Sequence, residues 1–231
     1  MSNSNTPFEY QKALKNVSSY PFVHNFLPID RYIVRPPASL IVRAVFKTSV
    51  TPNQLTLCSF LFSLIAGLAF FLGKPAFFTL GGILAMTSTI FDCADGMLAR
   101  AKNMTSRYGA FLDIFLDRIA DFAVLLGASL GYSKFKGDTR ILVFGLLTIA
   151  LYFLQVSLYY INNLYTRSEK SGEGAEAKSL AVFVIFVFSL LHRPDGFLLG
   201  VFLMASFGTV IKLIRFLRKG RDLAAVQAPS R

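Results

Sequence analysis

In 231 residues, hydrophobic side chains make up 54% and charged ones only 16%, well below the roughly 25% charged content of an ordinary soluble domain. That balance excludes a water-soluble globule, and 24 phenylalanines suit a surface facing lipid better than one facing water. The net charge of +11 could serve nucleic acid, anionic lipid or membrane topology. Because the basic residues lie between apolar runs and at the C-terminus, no nucleic-acid partner is expected.

The N-terminal arm, 1–53, contains no sustained apolar run. No cleavable signal peptide is expected, and insertion falls to the first internal span. Within the arm, residues 37–48 (PASLIVRAVFKT) are too short to cross and fit an interfacial helix in the headgroup layer. The alternative is an ordinary linker helix packed on a bundle. Residues 54–73 carry no charge and reach the length of about 20 residues that a spanning helix requires. Lys74-Pro75 breaks the run, and 75–91 supplies a second span that ends at Asp92. The polar stretch 101–107 separates it from a third, 108–133, which holds Asp113, Asp117, Arg118 and Asp121. A fourth, 141–164, is rich in Leu and Tyr, with Tyr159, Tyr160 and Tyr165 read as an interfacial aromatic belt. The fifth, 177–191, is short, with Lys178 expected to snorkel at its end, and the sixth runs over 196–216. Residues 1–7 and 222–231 read as frayed tails, and 169–176 (EKSGEGAE) as a flexible loop.

The expected fold is an all-α integral membrane protein, a six-transmembrane-helix bundle with an N-terminal interfacial helix. It divides into the arm 1–53, the membrane domain 54–217 and the tail 218–231. With both termini inside, the inner segments hold 18 Lys and Arg residues and the outer ones 5, Arg118 lying within a span. Under the positive-inside rule both termini are cytoplasmic. Cys58 and Cys93 form neither a disulfide framework nor a CxxC site, and the isolated His24 and His192 read as non-catalytic.

The informative region is 92–121. Carboxylates in or beside apolar spans are costly, and each demands a partner or a function. Asp92 and Asp95 share one helix face at the inner end of the second span. Asp113 and Asp117 share another near the start of the third. The topology brings all four to one depth below the cytoplasmic interface. Four such carboxylates need cations, and oxygen-only ligation favours Mg²⁺, Mn²⁺ or Ca²⁺ over zinc. Two ions about 3.5–4 Å apart would clamp a phosphate-bearing substrate. The alternative is salt bridges to Arg100, Arg107 and Arg118. Asp121, deeper on the same face, is expected to pair with Arg118 or a polar neighbour rather than to bind a metal directly. Gly96, Ala99 and Gly109 leave strips without bulk, open either to a nucleotide or to a neighbouring helix.

The full pattern, Asp92-x-x-Asp95-Gly96-x-x-Ala99-Arg100, eight residues, Gly109-x-x-x-Asp113-x-x-x-Asp117, resembles the signature of the CDP-alcohol phosphotransferase family at every fixed position. Thr51-Pro52-Asn53-Gln54-Leu55-Thr56 at the first span extends the likeness. The resemblance implies transfer of a substituted phosphoryl group from a CDP-alcohol, foremost CDP-diacylglycerol, to a hydroxyl acceptor such as inositol phosphate or glycerol phosphate, releasing CMP. It implies two divalent ions, Mg²⁺ or Mn²⁺, on Asp92, Asp95, Asp113 and Asp117, with Asp117 also the general base. It further implies cytidine contacts from Asp92, Gly96, Ala99 and Arg100, with Gly109, Asn53 and Thr56 around the pocket, and a homodimer in membrane lipid. The segment from Ser106 to Gly109 and from Asp117 to Asp121 is similar to members using inositol phosphates, including those joining CDP-inositol to inositol phosphate. An anionic acceptor would need basic residues near the metals: Arg107, Arg118 or Arg167. A cation transporter would instead spread its acids along a pathway, and the DGxxAR continuation is foreign to intramembrane prenyltransferases.

Overall fold

The structure, a computed structural model, describes residues 28–166 and 173–227; of these, the side chains of 162–166, 173–177, 215 and 218–227 are not described. The expectations placed on residues 1–7, His24, Arg167 and the start of the 169–176 loop lie outside the described residues. All regular structure among the described residues is helical. A π-helical turn, Asp30–Val34, runs into α1 (Arg35–Val45), followed by α2 (Pro52–Phe71), α3 (Pro75–Ala101), α4 (Arg107–Lys136), α5 (Thr139–Thr166), α6 (Glu173–Leu190) and α7 (Pro194–Gln227).

Local signals set these ends. Thr51 and Gln54 form a capping box, the Thr51 N–H donating to Gln54 Oε1 at 2.9 Å, and Pro52 occupies the first turn, where its missing N–H costs nothing. Pro75 and Pro194 open α3 and α7 in the same way. Ser106 caps α4 by accepting from the Gly109 N–H at 2.9 Å. Gly137, left-handed at φ 67°, closes that helix.

Four helical segments are long and apolar enough to cross a membrane: Pro52–Phe71, Pro75–Ala101, Thr139–Ile161 and Pro194–Ile214. The protein is multi-pass. Lys178–Leu190 is apolar but shorter, and α4 carries too many charges to qualify by composition. Three expected boundaries move. Helix α3 runs nine residues past Asp92, beyond the end of the apolar run, and the first two acids sit on its last turns. Residues 173–176, expected in a loop, open α6. Helix α7 continues to Gln227, through the first part of the expected frayed tail.

Between lipid-embedded helices the hydrophobic effect supplies little, so association rests on close packing and hydrogen bonds. Helix α2 packs against both α3 and α4. Against α4 the backbones nearly touch: a Cβ on Gly127 would overlap the Gly67 carbonyl, and one on Gly131 the Phe70 carbonyl. In return, a Cβ on Gly67 would meet the Ala123 oxygen at 2.6 Å. Against α3 the contact is polar. Ser63 Oγ and Ser88 Oγ lie 2.6 Å apart, and Ser59 Oγ donates to the Ser88 carbonyl at 3.0 Å. Each such bond contributes on the order of 1 kcal/mol in a membrane. Helices α5, α6 and α7 complete the bundle around Phe70, Phe78, Ile149, Ile185 and Phe197. Helix α1 buries Ala38 and Val42 against Ala94, Met97 and Leu98 of α3, while Leu40 stays 63% exposed.

Candidate active site

Helices α3 and α4 both pack on α2, which sets the last turns of α3 facing the first turns of α4. Spacings of three on α3 and four on α4 turn the acids toward one another. Asp92, Asp95 and Asp113 each offer an oxygen, all within 4.8 Å of one another, a span that one divalent ion with metal–oxygen distances of about 2.0–2.6 Å can bridge. One oxygen of Asp113 is buried with no hydrogen-bond partner, as suits a ligand for a cation rather than an acceptor for a donor. Asp95 is oriented from α2, where Thr56 Oγ1 donates to its Oδ2 at 2.5 Å. The residues fit a divalent metal.

Asp117, one turn beyond Asp113, faces a different partner. Lys178 Nζ lies 2.6 Å from Asp117 Oδ1 and 3.2 Å from Asp92 Oδ1. The side chain, 15% exposed, therefore does not snorkel outward as its position near the start of an apolar run suggested. Two carboxylates within reach hold the ammonium more strongly than distant water does. Arg118 takes the salt-bridged alternative in part, lying 3.7 Å from Asp117 and 3.1 Å from Asp121. Asp121 pairs with Arg118 as expected, and also accepts from Tyr152 on α5 at 2.7 Å.

Beside these acids lies a cavity of about 370 Å³ lined by α3, α4, α5, α6 and α7. Asp92, Asp113, Asp117, Arg118, Lys178 and Lys212 contribute its charged lining. Tyr152, Tyr159 and Tyr160 line it as well, so the last two face the site rather than serving only as an aromatic belt. Lys212 sits over the Tyr159 ring, 5.3 Å from its centre. Arg107 is exposed at the head of α4 and is not part of this lining.

On the other side of the acids the surface is bare. A Cβ on Gly96 would meet nothing nearer than the Arg100 guanidinium, 3.4 Å away. One on Gly109 would meet Ser106 Oγ at 3.0 Å and Asn53 Oδ1 at 3.2 Å. Neither glycine packs against another helix backbone, in contrast to Gly127 and Gly131, which leaves the strip by Gly96, Ala99 and Gly109 open. Lys102 steadies its rim by donating to the Thr48 and Val50 carbonyls at 2.9 and 2.8 Å, which fixes the linker that leads through Thr51 into the first turn of α2, where Asn53 sits. Partial burial lowers the Lys102 pKa.

Helices spanning a membrane, a carboxylate cluster suited to a divalent ion, a bare glycine strip and a cationic cavity together define a membrane enzyme for phosphate-bearing substrates. The chain belongs to the CDP-alcohol phosphatidyltransferase family, whose family model matches residues 49–212, and is a phosphotransferase. It is 30% identical to the archaetidylinositol phosphate synthase of Pyrococcus horikoshii over 192 residues, 80% of this chain and 90% of that one. It is also 30% identical to the phosphatidylinositol phosphate synthase of Mycobacteroides abscessus, over 76% of this chain and 71% of that one. A similar match, 30% identical, to the bifunctional IPC transferase and DIPP synthase of Archaeoglobus fulgidus takes in 81% of this chain but 37% of that longer protein. Among solved structures, the fold is similar to Mycobacterium tuberculosis phosphatidylinositol phosphate synthase. With CDP-DAG bound, that structure gives a TM-score of 0.59 at 23% identity, covering 78% of this chain and 92% of that one. Its complex with manganese and citrate gives 0.60 at 22% identity, covering 78% and 87%.

Sequence reasoning missed Lys178, Tyr152, Gln155 and Lys212 as parts of the site. Lys178 had a signal: a lysine just inside an apolar run demands a partner as much as an aspartate does. Tyr152, Gln155 and Lys212 had none, because the cavity that they line is assembled from five separate helices.

Proposed function

We propose that this protein moves a substituted phosphoryl group from CDP-diacylglycerol to a hydroxyl of an inositol phosphate, or of a similarly anionic acceptor such as glycerol phosphate, releasing CMP in phospholipid biosynthesis. The observation that carries this reading is the juxtaposition of the Asp92–Asp95–Asp113 oxygens with a cavity lined by Arg118, Lys178 and Lys212. One side suits a pyrophosphate held through metal, the other an acceptor bearing its own phosphate.

In this reading Asp92, Asp95, Asp113 and Asp117 hold two divalent ions, Mg²⁺ or Mn²⁺, which would neutralise the pyrophosphate and help CMP leave. Gly96 and Ala99 let the nucleotide approach the α3 backbone. Arg100, Asn53, Thr56 and Gly109 border it. Asp117 takes the proton from the acceptor hydroxyl as that oxygen attacks the phosphorus. Arg118, fixed by Asp121, orients the acceptor's phosphate within the cavity. Arg107, exposed at the head of α4, is the weaker acceptor ligand of the two. The alternative product, a soluble phosphodiester from CDP-inositol and inositol phosphate, draws support from the similarity to bifunctional IPC transferase and DIPP synthases.

The topology belongs to the same proposal: six spans, α2 to α7, with both termini and the site on the cytoplasmic side, α1 at the headgroup layer, and two copies forming a homodimer. Helix α4 has 30 residues, about 45 Å at about 1.5 Å per residue, ample to cross. Its acids turn inward, while Phe111, Phe115 and Phe122 are exposed where lipid would lie.

The deciding experiment measures CMP release by purified protein with Mg²⁺ or Mn²⁺ across a panel of CDP-alcohols and acceptors. Release only with CDP-diacylglycerol plus inositol phosphate is expected. Release with glycerol phosphate alone would reassign the acceptor, and release from no donor by folded protein would overturn the reading.

A further inference from the structure

Lys178 lines the acceptor cavity of the reaction just described, yet its ammonium occupies the middle of the acidic site. It reaches in from α6, a third helix, and its ammonium stands between Asp92 of α3 and Asp117 of α4. We propose that Lys178 is a displaceable counter-ion. It takes the place of one divalent cation while the site is incompletely loaded, and swings into the neighbouring cavity when that cation binds. The inference rests on the divalent-ion reading of the four aspartates and adds a control on when Asp117 becomes available.

Charge and space both point this way. Four ionised carboxylates on adjoining helices carry a formal charge of −4, and like charges this close destabilise one another unless cations intervene. Arg118 is only partly available, since its closer partner is Asp121 at 3.1 Å, against 3.7 Å to Asp117. A first divalent ion on the Asp92–Asp95–Asp113 oxygens leaves a charge of −2, which one ammonium halves and a second divalent ion cancels. A doubly charged ion therefore has the electrostatic advantage at the Lys178 position. The displaced group has somewhere to go. Lys178 already lines the 370 Å³ cavity together with Arg118 and Lys212, and a lysine head moves freely on its four-carbon stem. While the ammonium holds Asp117 Oδ1 at 2.6 Å, that oxygen cannot accept a hydroxyl proton. Loading the site frees the base and adds a third cation to the cavity in the same movement.

The test uses the full chain in detergent with Mn²⁺ alone, binding being followed by electron paramagnetic resonance. In the same samples, modification of each lysine by a small amine-reactive ester is read by mass spectrometry. Mn²⁺ should raise labelling of Lys178 severalfold while leaving the exposed Lys134 and Lys136 unchanged. Unchanged or reduced labelling of Lys178 at saturating Mn²⁺ would overturn the proposal. In Lys178→Met the weaker Mn²⁺ should bind about tenfold more tightly, about 1.4 kcal/mol; equal or weaker binding counts against displacement. Should that variant fail to fold, the labelling of the unaltered protein decides alone. If the unaltered protein binds no Mn²⁺ at all, the divalent-ion reading falls and takes this inference with it, whereas binding without a response at Lys178 removes the inference only.

Discussion

The two ends of α4 do opposite work. Toward its C-terminus, Gly127 and Gly131 bring it so close to α2 that no side-chain atom fits between the backbones. Toward its N-terminus the same helix presents Asp113, Asp117 and Arg118 to a cavity of about 370 Å³. Small residues clamp one end, and polar ones from five helices line the other. The difference teaches how a membrane bundle can hold a charged cavity without a hydrophobic driving force. Stability resides in the glycine clamp and the serine bonds between α2 and α3, and chemistry resides where packing is relaxed.

Variants at the two ends should therefore fail in different ways. The largest effect is expected from Asp117→Asn, which removes the proton acceptor. CMP release should fall by about 10²–10⁴-fold, while nucleotide binding and the melting temperature stay near those of the unaltered protein. Retained turnover would remove Asp117 as base. Next, Gly131→Leu forces a side chain into the Phe70 backbone. Overpacking of this kind costs about 1–3 kcal/mol or more, to be read as a lower melting temperature and a smaller folded yield in detergent. A fold that tolerates leucine there would show that the clamp is looser than the structure indicates. A smaller change is expected from Arg118→Met, about a tenfold rise in the acceptor KM with the donor KM unaltered, if a charge-assisted hydrogen bond is lost. Equal effects on both substrates would place Arg118 at the donor instead. The smallest is expected from Lys102→Met, which releases the linker leading into the α2 turn that bears Asn53. A roughly threefold rise in the donor KM fits the loss of part of a hydrogen bond of about 0.5–1.5 kcal/mol, and no change would separate that linker from the nucleotide strip.

The legible parts of this molecule were those encoded within single helices. Asp92 and Asp95, three apart, and Asp113 and Asp117, four apart, declare their shared faces from the helical repeat alone. The cost of a carboxylate near lipid makes the demand for a cation readable before any fold is known. Apolar run lengths likewise announced α2, α3, α5 and α7. The six-span arrangement is not decided by run length, because α4 is too charged to qualify by composition and Lys178–Leu190 too short.

Spacing in one chain segment determined which residues face together, since 3.6 residues per turn is a local property of the backbone. Only the tertiary structure decided what they face. It set Lys178 between Asp92 and Asp117, put Tyr159 and Lys212 on a common cavity, and left Arg107 outside it. Those outcomes depend on how closely α2 and α4 cross and how far α5, α6 and α7 stand away, distances fixed by side chains far apart in sequence and written in no single stretch of it.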